Sequence, residues 1–289
     1  MARRKPATTH GIAVVDKPPG VTSHDVVGML RRRFNERQVG HGGTLDPDAT
    51  GVLVVAVGKA TRLLRFVEKT RKGYTGEVVL GTSTSTLDSA GDVLATYDMS
   101  GVTVDDARKA VTEHLLGAIE QIPPMVSAIR IDGKRLHELA REGLEVERKP
   151  RPVEIHRFDV AAGDSEGILT IEVECSPGTY IRTLAADLGE LLGGGAHLRN
   201  LRRTFVGEFT LAEAAGPDNC ELLPVEAAVR PLDQIVVDAA TADLISHGRV
   251  LDSWPGEGPW AVSSEDGELL AVYESFRNGQ AKPAVVLSA

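Results

Sequence analysis

The sequence predicts an α+β main domain followed by a small all-β domain. Three observations carry this. Strand-like and helix-like segments interleave at irregular spacings over residues 11–229, which does not suit a strict βαβ repeat. A hydrophobic content of 42% over 289 residues is ample for a real core. Near residue 230 the chain turns acidic, and turn signals at Pro255-Gly256, Asp266-Gly267 and Asn278-Gly279 separate short apolar runs. The expected organisation is a mobile basic leader over 1–10, the main domain over 11–229 and the β domain over 230–289.

The elements follow in order. Gly11 to Val15 reads as a strand and Lys17 to Gly20 as a turn. Ser23 to Phe34 reads as a helix capped by Ser23, with Arg31, Arg32 and Arg33 at the negative end of its dipole. The unbroken apolar run 52–57 predicts a buried strand, and Ala60 to Glu68 a helix. Tyr74 to Leu80 alternates as a strand does, and Gly81 to Asp88 is a polar loop. Thr103 to Leu116 is helical in pattern until Pro123 and Pro124 break it. Residues 127–152 form a charged insertion with a helix expected from Arg135 to Arg141. Leu169 to Cys175 is a further strand, with Glu172 and Glu174 on its solvated positions. Pro177-Gly178 turns the chain into a helix from Tyr180 to Leu192, stopped by Gly193-Gly194-Gly195.

Composition excludes several function classes. No apolar segment approaches the roughly 20 residues a membrane helix needs, and no signal core follows the basic start, so a cytoplasmic protein is expected. Cys175 and Cys220 are too few for a disulfide framework or a four-ligand zinc site, and the eight histidines form no metal-binding pair, so no metal is implied. The net charge of -9 argues against a nucleic-acid partner until its distribution is considered. Residues 231–289 hold 3 basic and 9 acidic side chains, whereas residues 1–75 hold 14 basic and 6 acidic. Further basic clusters occur at Arg130, Lys134, Arg135 and Arg141, at Arg148, Lys149 and Arg151, and at Arg199, Arg202 and Arg203. Each can be a solvated face; together they can form a phosphate track.

The most informative segment is Gly40-His41-Gly42-Gly43-Thr44-Leu45-Asp46-Pro47-Asp48-Ala49-Thr50-Gly51. It holds one carboxylate, Asp46, between glycines and a proline, with the strand 52–57 directly behind it as an anchor. Such a loop presents a constrained acid, although the same residues taken alone describe an ordinary turn.

Gly40-His41, Gly43, Leu45-Asp46-Pro47 and Ala49-Thr50-Gly51 resemble the active-site loop of the TruB family of tRNA pseudouridine synthases. Four more segments resemble that family in the same order: Gly11 to Ser23 with its Lys17-Pro18 pair, Lys72-Gly73-Tyr74, Gln121 to Ala128, and Gly178-Thr179-Tyr180-Ile181-Arg182. The resemblance spans about residues 10–210. It implies a pseudouridine synthase fold with a mixed, largely antiparallel sheet and a C-terminal PUA-like domain.

It also implies a chemistry that needs no cofactor, because uridine is isomerised with nothing added or lost. Asp46 is then the catalytic group, attacking the sugar or the base or removing the C2′ proton to give a glycal. Arg182 matches the arginine that pairs with that aspartate, and Tyr74 the tyrosine that stacks on the uracil. Tyr180 lines the same pocket. His41 matches the histidine that enters the tRNA T-loop while the base is flipped. Lys17, Pro18, Gly43, Leu45 and Pro47 support the site. The insertion resembles a thumb that closes on RNA; Arg130, Lys134, Arg135 and Arg141 within it and Arg199 and Arg202 outside it are the candidate RNA-backbone contacts. The expected partner is the T stem-loop of tRNA, read by a monomer without guide RNA, obligate protein partner or membrane. Two competing readings are a non-catalytic tRNA-binding or folding module and a hydrolase using Asp46 with Asp48.

Overall fold

A computed structural model describes residues 7–127, 130–131, 134–135 and 146–287, the side chains of 130, 131, 134 and 135 excepted. Two compact units emerge. The first comprises the chain to Pro47, Gly51–Lys69 and Val206 onward; the second comprises Asp48–Thr50 and Thr70–Phe205.

In the first unit, β1 (Gly11–Lys17) pairs antiparallel with β3 (Thr50–Val57) along its whole length, from Gly11 opposite Val57 to Lys17 opposite Gly51. The short β2 (Val39–His41) pairs with the far end of β3, placing His41 opposite Val55. Unbroken Val/Leu/Ala sequence in β3 reflects burial on both faces, since one face packs on α1 (Ser23–Arg33) and the other on a second apolar cluster. Thr22, not Ser23, caps α1. Thr22 is extended, and with Asp25 at the third helical position it closes a reciprocal capping box that Ser23, one residue later, cannot form. The helix expected over Ala60 to Glu68 is a 3₁₀ turn, Gly58–Leu63, followed by the five-residue α2 (Leu64–Glu68). Within residues 7–10, Thr8 donates to Glu36 and His10 accepts from the Lys59 amide.

In the second unit β4 (Lys72–Leu80), β7 (Gly117–Gln121), β10 (Arg151–Ala162) and β11 (Ile168–Cys175) lie in the order β4-β11-β10-β7 with every pair antiparallel, so the first of the four pairs with the last. The sequence reading missed the twelve-residue β10. Its apolar residues Val153, Ile155, Phe158 and Val160 alternate with charged ones across a bulge, which blurs the period. The predicted loop 81–88 contains β5 (Thr82–Thr84), which forms a hairpin with β6 (Val93–Thr96). The helix begun at Thr103 is α3 (Val104–Ala110), and its end widens into a π turn, Val111–Leu115. In the insertion, β8 (Arg130–Ile131) pairs with β9 (Lys134–Arg135). The helix expected from Arg135 to Arg141 starts on a β9 residue and otherwise lies outside the described residues, as does Arg141. Helix α4 (Ile181–Leu191) precedes the long β12 (Ala196–Val206).

The segment after residue 230 belongs to the first unit and forms a five-stranded sheet. Its order is β13 (Asp233–Val237), β15 (Trp260–Ser264), β16 (Leu269–Ser275), β17 (Gln280–Val286) and β14 (Leu251–Asp252). It carries one helix, α5 (Ala239–Ser246), which the all-β expectation lacked. Its first turn, Ala239-Ala240-Thr241-Ala242, is mostly alanine and gives no clear apolar period.

Candidate active site

Asp46 sits half-buried in the loop between β2 and β3, and both of its neighbours are held by hydrogen bonds from β1 and α1. On its N-terminal side, the Ser23 hydroxyl accepts from the Leu45 amide at 2.8 Å and donates to the Leu45 carbonyl at 3.1 Å. That serine is free to do so because Thr22 does the capping. On its C-terminal side, the Pro47 carbonyl accepts from Lys17 Nζ at 2.8 Å and from the Gly20 amide at 3.0 Å.

Lys17 is 0% exposed, and its ammonium also donates to the carbonyls of Pro18 at 2.9 Å and Val21 at 2.7 Å. Burying a charge is costly unless it is paired, and three carbonyl dipoles offset that cost here. Lys17 and Pro18 thus lie beside the loop, with Lys17 fastening it directly. Gly43 has φ +115° and Gly51 φ +99°, conformations that side-chain-bearing residues avoid. His41 is half-buried at the end of β2.

Tyr74, Tyr180 and Arg182 belong to the second unit. Tyr74 is 8% exposed on β4, opposite Val173 of β11. The preceding Gly73 leaves room for Phe205, onto which any Cβ there would collide. Tyr180 is the N-cap of α4. Its amide donates to Gln121 Oε1 at 3.0 Å and its carbonyl accepts from Gln121 Nε2 at 3.2 Å, so a buried glutamine fixes the start of the helix.

Arg182 is 4% exposed. Its Nη1 donates to the Thr86 carbonyl and its Nη2 to the Val126 carbonyl, both at 2.9 Å, while Nε lies 3.6 Å from Asp88 Oδ2. Asp88 is itself oriented by the Thr86 hydroxyl and the Ala90 amide at 3.1 Å. A guanidinium held at three points is a rigid cation.

Ser23, Gln121 and Asp88 hydrogen-bond or pair with candidate residues or their neighbours, and sequence reasoning did not assign them. Each lies inside or at the edge of a segment it had singled out, but hydrogen bonds across 22 and 59 positions and an ion pair across 94 leave no local signal.

The basic residues divide. Arg202 Nη1 donates to the Thr50 hydroxyl at 3.2 Å, whereas Arg199 forms a 2.6 Å ion pair with Glu77, whose carboxyl it holds below the usual range. Arg203 is buried, which removes it from any surface track. Arg148 donates to the Pro123 carbonyl at 2.9 Å. Among the described residues no group of three or more His, Cys, Asp or Glu is placed to hold a metal ion, and no helix is long and apolar enough to cross a membrane. Cys175 and Cys220 are unbonded and buried, and burial pushes the Cys175 thiol up to about 11.

The architecture is that of the pseudouridine synthases. The chain matches the solved Cbf5-Nop10-Gar1 complex with a TM-score of 0.71 at 26% identity, covering 93% of this chain and 79% of that one. It matches an H/ACA RNP bound to a substrate RNA containing 2′-deoxyuridine with a TM-score of 0.68 at 25% identity, covering 92% and 78%.

Sequence narrows this to one family. Residues 31–181 match the N-terminal domain of the TruB family pseudouridylate synthases, and residues 182–219 the tRNA pseudouridylate synthase B C-terminal domain. The chain is 46% identical to the tRNA pseudouridine synthase B of Rhodococcus jostii over 94% of this chain and 93% of that one. It is 44% identical to the enzyme of the same name from Arthrobacter, over 96% of each. This chain belongs to the TruB family of pseudouridylate synthases.

Proposed function

We propose that the protein converts the T-loop uridine of tRNA, position 55, to pseudouridine with Asp46 as its catalytic carboxylate. The observation that carries this reading is the double clamp on Asp46, in which Ser23 fixes the residue before it and Lys17 with Gly20 the residue after it. An ordinary turn needs no buried lysine behind it. A carboxylate that must meet one carbon of a sugar or base does need that precision.

The reaction breaks the bond between N1 and C1′ and joins C5 to C1′; N1 gains a proton and C5 loses one. Asp46 attacks or deprotonates the nucleoside, and Arg182 is assigned to it as the charge partner. Tyr74 stacks on the uracil, Tyr180 lines the pocket, and His41 enters the opened T-loop. Arg130, Lys134, Arg135, Arg141 and Arg202 contact phosphates; Arg199 does so less, because Glu77 engages it. Residues 11–229 act as the catalytic domain, with 127–152 as a thumb, and 230–289 as a PUA-like domain. The enzyme works in the cytoplasm as a monomer, on tRNA alone, with no guide RNA, partner protein, cofactor or metal.

Two experiments test this. T-loop RNA with tritium at uridine C5 should lose label to water with the purified chain alone. Asp46→Asn should abolish that release while RNA binding persists. Normal turnover by Asp46→Asn would overturn the assignment, and binding without release by the wild type would favour a non-catalytic folding module.

A further inference from the structure

Residues 231–289, which form the C-terminal β-sheet and its connections, hold 9 acidic and 3 basic side chains, a poor composition for an RNA contact, and two of these acids face the protein's own cations. Lys59, Arg62 and Arg65, spaced three apart, run along the 3₁₀ turn and α2. Lys59 Nζ lies 3.8 Å from Glu268, Arg62 donates to the Val286 carbonyl, and Arg65 lies 3.0 Å from Glu274. Beneath this ladder, Leu63, Phe66 and Val67 share one apolar cluster with Ala261, Leu269, Val272, Val285 and Leu287 of the sheet.

The same short helix also touches the loop that carries Asp46. A Cβ built on Gly40 would lie 3.2 Å from Leu64 Cδ1, and one on Gly42 would lie 3.2 Å from Val67 Cγ1 and 3.3 Å from Leu64 Cδ2. Neither glycine has a positive φ, so what these positions require is space. A helix of five residues has no stability of its own, since helices shorter than about 12 residues are marginal in water. Its position is therefore set by what packs on it.

We propose that the C-terminal β-sheet positions the catalytic loop through α2, with Arg65 and Glu274 as positioning residues. The apolar cluster supplies adhesion. Exposed ion pairs add little strength but fix which carbonyl and carboxylate each cation meets, and hence the register of α2 on the sheet. A displacement of α2 toward the loop closes the space beside Gly40 and Gly42, where even a methyl group would be crowded. The inference rests on the reading of Asp46 as the reactive carboxylate.

The test uses the full chain carrying Arg65→Glu, Glu274→Arg, or both. Each single change should lower the single-turnover rate on saturating T-loop hairpin RNA by roughly tenfold, as a small loop misplacement does. RNA affinity should hold within about twofold, as expected of a change away from phosphate contacts. Amide exchange over residues 39–47 should quicken, and the double swap should restore both rate and protection. Gly42→Ala should give the same phenotype and Val67→Ala should relieve it. Unchanged rate and exchange in the single variants would overturn the proposal. So would weakened RNA affinity that the swap fails to restore, since that would make Arg65 an RNA contact. If the wild type released no label, the functional reading would fall, whereas the exchange measurements would still decide the mechanical link.

Discussion

Replacing Lys17 with methionine separates the support of the loop from its chemistry. Methionine keeps most of the stem's length and volume, so the 0%-exposed site stays filled and no large cavity opens. What is lost is the ammonium and its three hydrogen bonds, of 2.7–2.9 Å, to Pro18, Val21 and Pro47. A buried acceptor deprived of its donor costs about 1–3 kcal/mol. Two considerations lower the sum. Pro47 keeps its bond from the Gly20 amide and is exposed to water, and removing a buried ammonium recovers part of its desolvation cost. A net loss of about 2–3 kcal/mol is expected, most of it from Pro18 and Val21.

The kinetic effect should be larger in proportion. Pro47 adjoins Asp46, and misplacing a reacting group by about 1 Å can cost up to 10²-fold, so the single-turnover rate should fall between about 10- and 100-fold. Urea unfolding followed by circular dichroism gives the first quantity, and tritium release from T-loop RNA under saturating enzyme gives the second. A stability change below about 0.5 kcal/mol, the size of an ordinary surface substitution, together with an unaltered rate, would refute the reasoning.

Three further predictions follow from the same geometry. Thr22→Ala should cost about 1 kcal/mol of stability with the rate intact, because it removes a helix cap. Ser23→Ala should slow the reaction, because it frees Leu45; equal effects of the two variants on rate would contradict the division of labour between these neighbours. Asp88→Asn should reduce the single-turnover rate without weakening RNA binding, because the charge 3.6 Å from Arg182 Nε is lost while the shape remains; a pure affinity loss would argue against it. Asp187 on α4 has its carboxyl pushed up to about 6, first by burial and then by the Glu190 charge. The folded state therefore keeps its proton where the unfolded chain has lost it, and stability falls as pH rises from about 4 to about 6. Asp187→Asn should flatten that fall and stabilise the protein at pH 7.5 by at most about 3 kcal/mol; identical pH profiles in thermal unfolding would exclude this origin.

The parts of the fold legible in sequence were those with a local cause. β3 was legible because burial on both faces leaves an unbroken apolar run, and α3 because Thr103 and Asp106 cap it within one turn. β10 was not, since its bulge interrupts the alternation, and the helix read over Ala60 to Glu68 did not reveal its division into a 3₁₀ turn and the five-residue α2. For the site, the motif singled out Asp46 and Arg182 and the resemblance gave Lys17 a supporting place, but the parts taken by Ser23, Gln121 and Asp88 could not be read. Ser23 looked like a cap because serine before an apolar run usually is one; only the neighbouring Thr22-Asp25 box releases it.

The glycines around Asp46 extend this point. They look alike in sequence and are required for different reasons. Gly43 and Gly51 need positive φ, a property of their own backbone, and any bulky replacement there would be strained even in isolation. Gly40 and Gly42 have ordinary φ and are constrained by Leu64 and Val67. Substitution at the first pair should resist rescue, because no neighbour can relieve a backbone conformation. Substitution at the second set should be rescuable by trimming the side chain it meets. The loop is therefore shaped partly by its own residues and partly by a helix some twenty positions further along the chain. That second contribution ties the setting of Asp46 to the packing of the whole first unit.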